Sequence, residues 1–318
     1  MDLRAAYLAW LAVCLIWGTT YLAIRIALET IPPALVGAIR FTLAGLVLLA
    51  ILRARGEPPP GRSSWKGLAI IGLLLIGVGN GGVIWAEQWV PSSFTALLIG
   101  ATPFWMVGTE TMFGGGERLT LRILVGLMIG FTGVAMLVWP DLTQGGAAGR
   151  QFLAGVIAVQ MACLGWSIGS SYSKRQGRHD NALTGAAVQM LCGGLAMLLL
   201  GTALGEWSKL SFSWRSAVAE SYLLVVGSVV AYPAYMYALK HLPVSTVSLY
   251  AYINPVIAVV LGTLLLDEPF SPRVIVAAAL VFLGITVVRW KPAEELGTRQ
   301  HAFQAPGSRL RVRPPAGR

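Results

Sequence analysis

The sequence predicts an all-α integral membrane protein, with ten transmembrane helices arranged as two inverted five-helix repeats around a central cavity. Three observations lead there. The 318 residues are 56% hydrophobic and 12% charged, whereas an average soluble domain is about 25% charged. Apolar stretches of about 20 residues, the length that crosses a bilayer core, follow one another along the chain. A proline-broken segment also occurs twice. Residues 91–120 read PSSFTALLIGATPFWMVGTETMFGGGERLT and residues 243–271 read PVSTVSLYAYINPVIAVVLGTLLLDEPFS. In each a second proline, Pro103 or Pro255, follows the first by 12 residues. Each then closes on an acidic turn and a hydroxyl residue, Glu117 with Thr120 and Glu268 with Ser271.

The spans fall at 6–27, 33–53, 66–86, 91–112, 119–139, 151–173, 183–204, 216–239, 244–266 and 273–290. The first is too long for a signal-peptide core and no small-residue cleavage site follows it. All connecting loops are short, which predicts antiparallel neighbours. Residues 291–318 are polar, proline-rich and basic, the composition of a disordered tail. The domain reading is therefore a first repeat over 1–140, a second over 151–290 and a disordered basic cytoplasmic tail. Cys14, Cys163 and Cys192 lie inside apolar stretches without metal-ligand spacing, so they read as packing residues with no disulfide.

The net charge of +10 does not point to nucleic acid, because it sits in short loops and the tail. It is an orientation signal. With the N-terminus cytoplasmic, inside segments carry 18 Lys and Arg; outside segments carry Arg150, Lys209, Arg215 and Arg273. Both termini are expected inside, in a bacterial inner membrane.

The duplication extends beyond the proline segments. Cys14-Leu15-Ile16-Trp17 matches Cys163-Leu164-Gly165-Trp166, Arg40 matches Gln189, and Phe131 and Gly133 match Phe282 and Gly284. Five spans per unit is odd, so the second unit enters from the opposite side. Inverted repeats are the sequence mark of secondary transporters, because two similar halves can exchange conformations about one central site.

Trp17-Gly18-Thr19, Pro32-Pro33, Arg40-Phe41 and the Pro103 and Pro255 segments with their Gly-Glu and Asp-Glu turns resemble the EamA-type repeat of the drug/metabolite transporter superfamily. The likeness covers about residues 6 to 290. It implies ten helices, cytoplasmic termini, a central cavity and export of metabolites, including aromatic amino acids. The second half departs from the pattern, with Trp166-Ser167 and Gln189 in place of Trp-Gly and the arginine.

Candidate functional residues follow from what a bilayer makes costly. A mid-helix proline removes a backbone hydrogen bond, and such breaks are tolerated where they are buried or line a cavity. Pro103 and Pro255 are thus either hinges at mid-depth or packing kinks. Asn254 and Tyr250 share a helix face, and Thr102 occupies the matching place beside Pro103. Asn80, inside the Gly77–Gly82 run, aligns with Tyr232. For these polar groups the alternatives are substrate and an interhelical hydrogen bond. Trp17, Tyr21 and Trp166 offer flat rings with a polar edge, suited to a zwitterion. Trp10, Trp65, Trp89, Trp139 and Trp290 read as interfacial belt. Arg40 meets either a substrate carboxylate or Glu29 or Glu87; Arg25 can snorkel.

Glu110 and Glu220 fall near span ends, leaving no carboxylate at mid-membrane. That weakens a proton-coupled cation exporter. There is no G-x-x-x-x-G-K-[ST] sequence for ATP. The histidines have no metal or triad spacing, so no cofactor, no metal site and no enzyme activity are expected. The expected partners are a small-molecule substrate and the lipid bilayer, with no nucleic acid, as a monomer or homodimer. Gly77/Gly81, Gly126/Gly130 and Gly165/Gly169 mark close helix contacts within or between chains. The functional expectation is alternating-access export of small metabolites, most of all amino acids, aromatic or other neutral ones. The alternative is a multidrug or cationic-compound exporter of the same fold.

Overall fold

The computed structural model describes residues 3–112, 120–143, 146–176, 182–268 and 270–289. The acidic turn at Glu117, Trp290 and the basic tail lie outside them. Among the described residues the helices are α1 (Leu3–Ala27), α2 (Pro33–Ala54), α3 (Arg62–Ala86), α4 (Ser92–Ile99), α5 (Thr102–Met112), α6 (Leu121–Thr143), α7 (Gly146–Arg175), α8 (Ala182–Ala203), α9 (Trp214–His241), α10 (Val244–Val247), α11 (Tyr250–Leu266) and α12 (Pro272–Arg289). Among the described residues, α1, α2, α3, α7, α8 and α9 are long and apolar enough to cross a membrane, and shorter apolar helices lie at Leu124–Leu137, Ile253–Leu266 and Pro272–Gly284. No strand occurs among the described residues. Large apolar side chains such as Leu199 and Leu264 are more than 70% exposed, which suits hydrocarbon and not water.

The two proline segments are each broken, but at different places. Between α4 and α5 the chain turns at Gly100–Ala101, and Pro103 is the second residue of α5. There its missing N–H would be unbonded in any case. In the second segment the turn falls at Ser248–Leu249, and Pro255 lies inside α11. Pro255 leaves the Ala251 carbonyl without its usual intrahelical donor.

The proline pattern gives no hint of a second irregularity. Helix α3 widens to π-helical turns over Leu73–Asn80 and α9 does so over Leu223–Val230. Both segments have eight residues, and they start and end 150 positions apart. That spacing pairs Asn80 with Val230, two residues short of Tyr232. In each, a polar side chain donates to the carbonyl five residues back: Asn80 Nδ2 to Leu75 at 3.1 Å and Ser228 Oγ to Leu223 at 3.0 Å. Pro233, three residues past the second segment, has no N–H to complete either an α or a π register.

Helix α2 packs along α8, α6 along α12, and α1 against α9 and α11. The α6–α12 crossing is close because a Cβ at Gly284 would stand 2.5 Å from the Gly126 carbonyl oxygen and 2.6 Å from the Gly130 nitrogen. The Gly126/Gly130 pair therefore serves an intramolecular contact. Cys14, Cys163 and Cys192 are free thiols.

At one end of the bundle, three contacts join residues before 140 to residues after 150. The Glu268 carboxylate accepts from Ser92 N (2.8 Å), Ser92 Oγ (2.7 Å) and Ser93 N (2.9 Å), capping α4. Asp267 makes the turn that delivers it, at a left-handed φ of 52°, which Asp tolerates better than most residues. Glu206 accepts from Leu35 N at 3.0 Å and Ala34 N at 3.4 Å at the start of α2. Arg215 pairs with Glu29 at 3.0 Å. Carboxylates are favoured at helix N-termini by the free N–H groups and the macrodipole. Replacing Glu268 by Ala is expected to destabilise the protein by about 1–3 kcal/mol. A lowered midpoint in thermal unfolding of the detergent-solubilised protein measures this; an unchanged midpoint would mean the cap contributes nothing.

Candidate substrate cavity

The central cavity lies where α1, α2, α3, α7 and α11 meet the break between α4 and α5. Its wall is Trp17, Thr20, Tyr21 and Ile24 of α1, Arg40 of α2, Gly79, Asn80 and Val83 of α3, Ile99 and Thr102 at the break, Ala162, Cys163 and Trp166 of α7, and Tyr250 of α11. Space for water-sized molecules is about 60 Å³, enough for a few waters and too little for an amino acid.

Seven of the residues singled out from the sequence meet here: Trp17, Tyr21, Arg40, Asn80, Thr102, Trp166 and Tyr250. Two do not line the cavity. Tyr232 is buried and donates from its hydroxyl to Gln189 Oε1 at 2.8 Å. Asn254 is buried in a bridge between helices. With its amide turned to satisfy its hydrogen bonds, its nitrogen donates to the Tyr250 carbonyl (3.1 Å) and the Cys14 carbonyl (2.9 Å).

Three of the lining rings, Trp17, Trp166 and Tyr250, belong to one aromatic cluster. Trp17 stands 5.3 Å from Trp166 and 5.4 Å from Tyr250, both edge-to-face, and 5.1 Å from Tyr235. Edge-to-face contact sets the positive rim of one ring on the negative face of another. Tyr235, not among the candidate residues read from the sequence, packs against Trp17, Trp166 and Tyr250. Its oxygen accepts from Trp166 Nε1 at 2.9 Å and shares a hydrogen bond with Ser170 Oγ at 2.8 Å. Its position one turn after Tyr232 was the available signal. Gly79 is required for close approach, since a Cβ there would sit 2.8 Å from the Trp166 ring.

Arg40 is 2% exposed. Its Nε donates to Ser228 Oγ at 2.7 Å and its Nη2 to the Gly227 carbonyl at 3.3 Å. Trp17 Nε1 donates to the same carbonyl at 3.2 Å. The other guanidinium nitrogen, Nη1, has no partner. The Glu29 pairing considered from sequence is not formed, because Glu29 holds Arg215. Glu87 is fully buried and acts on Arg40 only through charge; its backbone carbonyl accepts from Arg25.

Glu220, which the sequence places near a span end, is 4% exposed, and neither carboxylate oxygen has a hydrogen-bond partner within the geometric limits. Its helix, α9, packs against α1 and α2, and that packing removes the solvent.

The broken helices, the buried cation and the aromatic cavity can now be set beside known proteins. The EamA-like transporter family matches residues 4–139 and 153–290. This chain belongs to the EamA-like transporter family. It is 34% identical over 281 residues to the "Uncharacterized inner membrane transporter YedA" of Escherichia coli K12, covering 88% of this chain and 89% of that one. It is 23% identical over 306 residues to the "Probable amino-acid metabolite efflux pump" of the same organism, covering 91% and 97%. A solved crystal structure superposes with a TM-score of 0.65 at 22% identity, covering 89% of this chain and 97% of that one; this likeness concerns fold alone. The EamA-like protein described here is a membrane transporter and not an enzyme.

Tyr235→Phe in this transporter removes two hydrogen bonds and leaves the ring. We expect roughly a 30-fold loss of transport at unchanged expression, from about 1 kcal/mol for each of the two hydrogen bonds. Wild-type rates in reconstituted vesicles would show that the Trp166 orientation does not depend on it.

Proposed function

We propose that this EamA-like transporter exports small metabolites, amino acids above all, by alternating access across the bacterial inner membrane. The observation that carries the reading is one cavity wall holding stacked-edge aromatic rings and a buried guanidinium with a free N–H group. A free amino acid presents the complementary parts: a carboxylate for Arg40 and an apolar or aromatic side chain for the Trp17, Trp166 and Tyr250 rings. The name of the E. coli efflux pump agrees with that substrate class.

The architecture we infer has ten spans, as two five-helix repeats of opposite orientation with both termini cytoplasmic. The two matched π segments and two broken proline segments support the duplication. Lysine and arginine counts support the orientation, which puts Glu29, Glu206 and Glu268 on the outer face. In that frame the structure is a contracted state whose outer end is held by the three carboxylate contacts. Transport requires those contacts to release while contacts at the inner end form. Pro103 adjoins the break before α5 and Pro255 weakens the hydrogen bonding inside α11; we assign both as hinges. Thr102 and Asn80 complete the polar part of the site. Asn254 and Tyr232 support it from behind.

Two experiments test this. Purified protein in liposomes preloaded with each of the twenty amino acids is expected to release at least one faster than protein-free liposomes do. Trp17→Ala is expected to lower that release at least about 10-fold, as loss of a large buried ring contact would. No release across the panel sinks the amino-acid reading. Separately, cysteine labelling in intact cells is expected to place residues 53–62 and 174–178 on the same, cytoplasmic, side. Labelling from opposite sides would dismiss the inverted arrangement.

A further inference from the structure

Helix α1 uses two opposite faces, as a 3.6-residue period allows. Trp17, Thr20, Tyr21 and Ile24 line the central cavity. Thr19, Leu22, Ala23 and Ile26 line a second space, a groove shared with α9 and Leu265 of α11. The groove has room for about 540 Å³ of water-sized molecules, against about 60 Å³ in the cavity.

Its two ends differ. At one end Trp214 and Arg215, both exposed, stand at the start of α9. Tryptophan rings and snorkelling arginines belong at headgroup level. At the other end Thr19 donates to the Ile16 carbonyl at 2.6 Å, which leaves Tyr222 as donor to Thr19 at 2.5 Å. The demand of both hydroxyls is therefore met inside the protein. Between the ends the lining is apolar, and Val218 and Leu265 are exposed. From Trp214 to Tyr222, α9 rises about 12 Å. That is most of the roughly 15 Å of hydrocarbon in one leaflet.

A groove of this length, apolar along its course with one cation at its mouth, matches an acyl chain below a phosphate. Hydrocarbon gains little by leaving bulk lipid for an apolar groove, so selection rests on the headgroup end. There Arg215 holds Glu29 through Nε at 3.2 Å and Nη2 at 3.0 Å. Nη1 takes no part in that pair, and a guanidinium suits a phosphate by charge and by geometry. Glu29 and a phosphate would compete for one guanidinium.

We propose that this groove is a phospholipid site, in which one acyl chain lies along α1 between α9 and Leu265 and the phosphate sits on Arg215. The site is separate from the substrate cavity and independent of which substrate is carried.

The test is native mass spectrometry of the full chain released from detergent, titrated with dioleoylphosphatidylglycerol or with dioleoylglycerol. The second has the same chains and no phosphate. The expected result is one retained phosphatidylglycerol per chain, with dioleoylglycerol at least about 10-fold weaker. Arg215→Gln is expected to weaken phosphatidylglycerol roughly 5- to 10-fold, as loss of an exposed charge-assisted hydrogen bond would. Glu29→Gln is expected to tighten it roughly 2- to 5-fold, because the guanidinium loses its competitor. Opposite signs from the two halves of one ion pair separate phosphate binding from a merely structural role. Val218→Trp, which fills the groove from an exposed position, is expected to weaken binding about 10-fold. Leu199→Trp, on the exposed face of α8, is expected to leave it unchanged. Equal retention of the two lipids, or binding that Glu29→Gln weakens or leaves unchanged, overturns the phosphate assignment. Binding that Val218→Trp leaves intact overturns the groove as the place of the chain. A lipid-free dimer that Val218→Trp dissociates overturns the proposal in favour of a second copy of this chain.

Discussion

A guanidinium inside a bilayer protein must be answered by acceptors, and here one carbonyl carries much of that requirement. The Gly227 oxygen receives both Arg40 and Trp17, so α1, α2 and α9 are joined at a single backbone group. In hydrocarbon no water can replace those bonds. The position of Arg40 fixes α2 against α9, the position of Trp17 sets the ring cluster, and the cavity is the space left between them. Widened turns over Leu223–Val230 present that carbonyl and Ser228 on one side of the helix. Such departures from α geometry recur at functional sites.

The two proline segments show how similar sequences settle into different local solutions. In the first, the break and the proline nearly coincide: Gly100 and Ala101 turn, and Pro103 is the second residue of the next helix. In the second, the turn at Ser248–Leu249 precedes a helix that tolerates Pro255 internally. The Asn254 amide lies beside that proline and bonds a carbonyl of its own helix and one of α1. This ties the weakened turn to a neighbour. The Thr102 hydroxyl at the corresponding place bonds the Ile99 carbonyl and Cys163 Sγ. The same chemical need, satisfying backbone near a proline, is met by an amide in one case and a hydroxyl in the other.

Much of the cavity lining was legible because bilayers restrict the alphabet. Arg40, Asn80, Thr102 and the deep aromatics stood out against an apolar background, and the cavity wall contains them. The residues that escaped had weaker signals. Tyr235 looks like one more aromatic in a helix that also holds Tyr232 and Tyr237. Glu220 lies near a span end, and only the packing of α9 on α1 and α2 shows that it is dry. The matched π segments carry no motif beyond glycine on one side and Pro233 on the other.

The sequence by itself determined that the chain is helical and membrane-embedded, where its helices run, and which polar side chains would be expensive there. Only the tertiary structure decided which of those side chains face one another. The reason is that lipid and protein interior are both apolar. A span needs no polar face toward solvent, so hydropathy marks depth but not rotation about the helix axis. That rotation turns Asn254 toward Cys14, Tyr232 toward Gln189, and Arg40 toward the cavity.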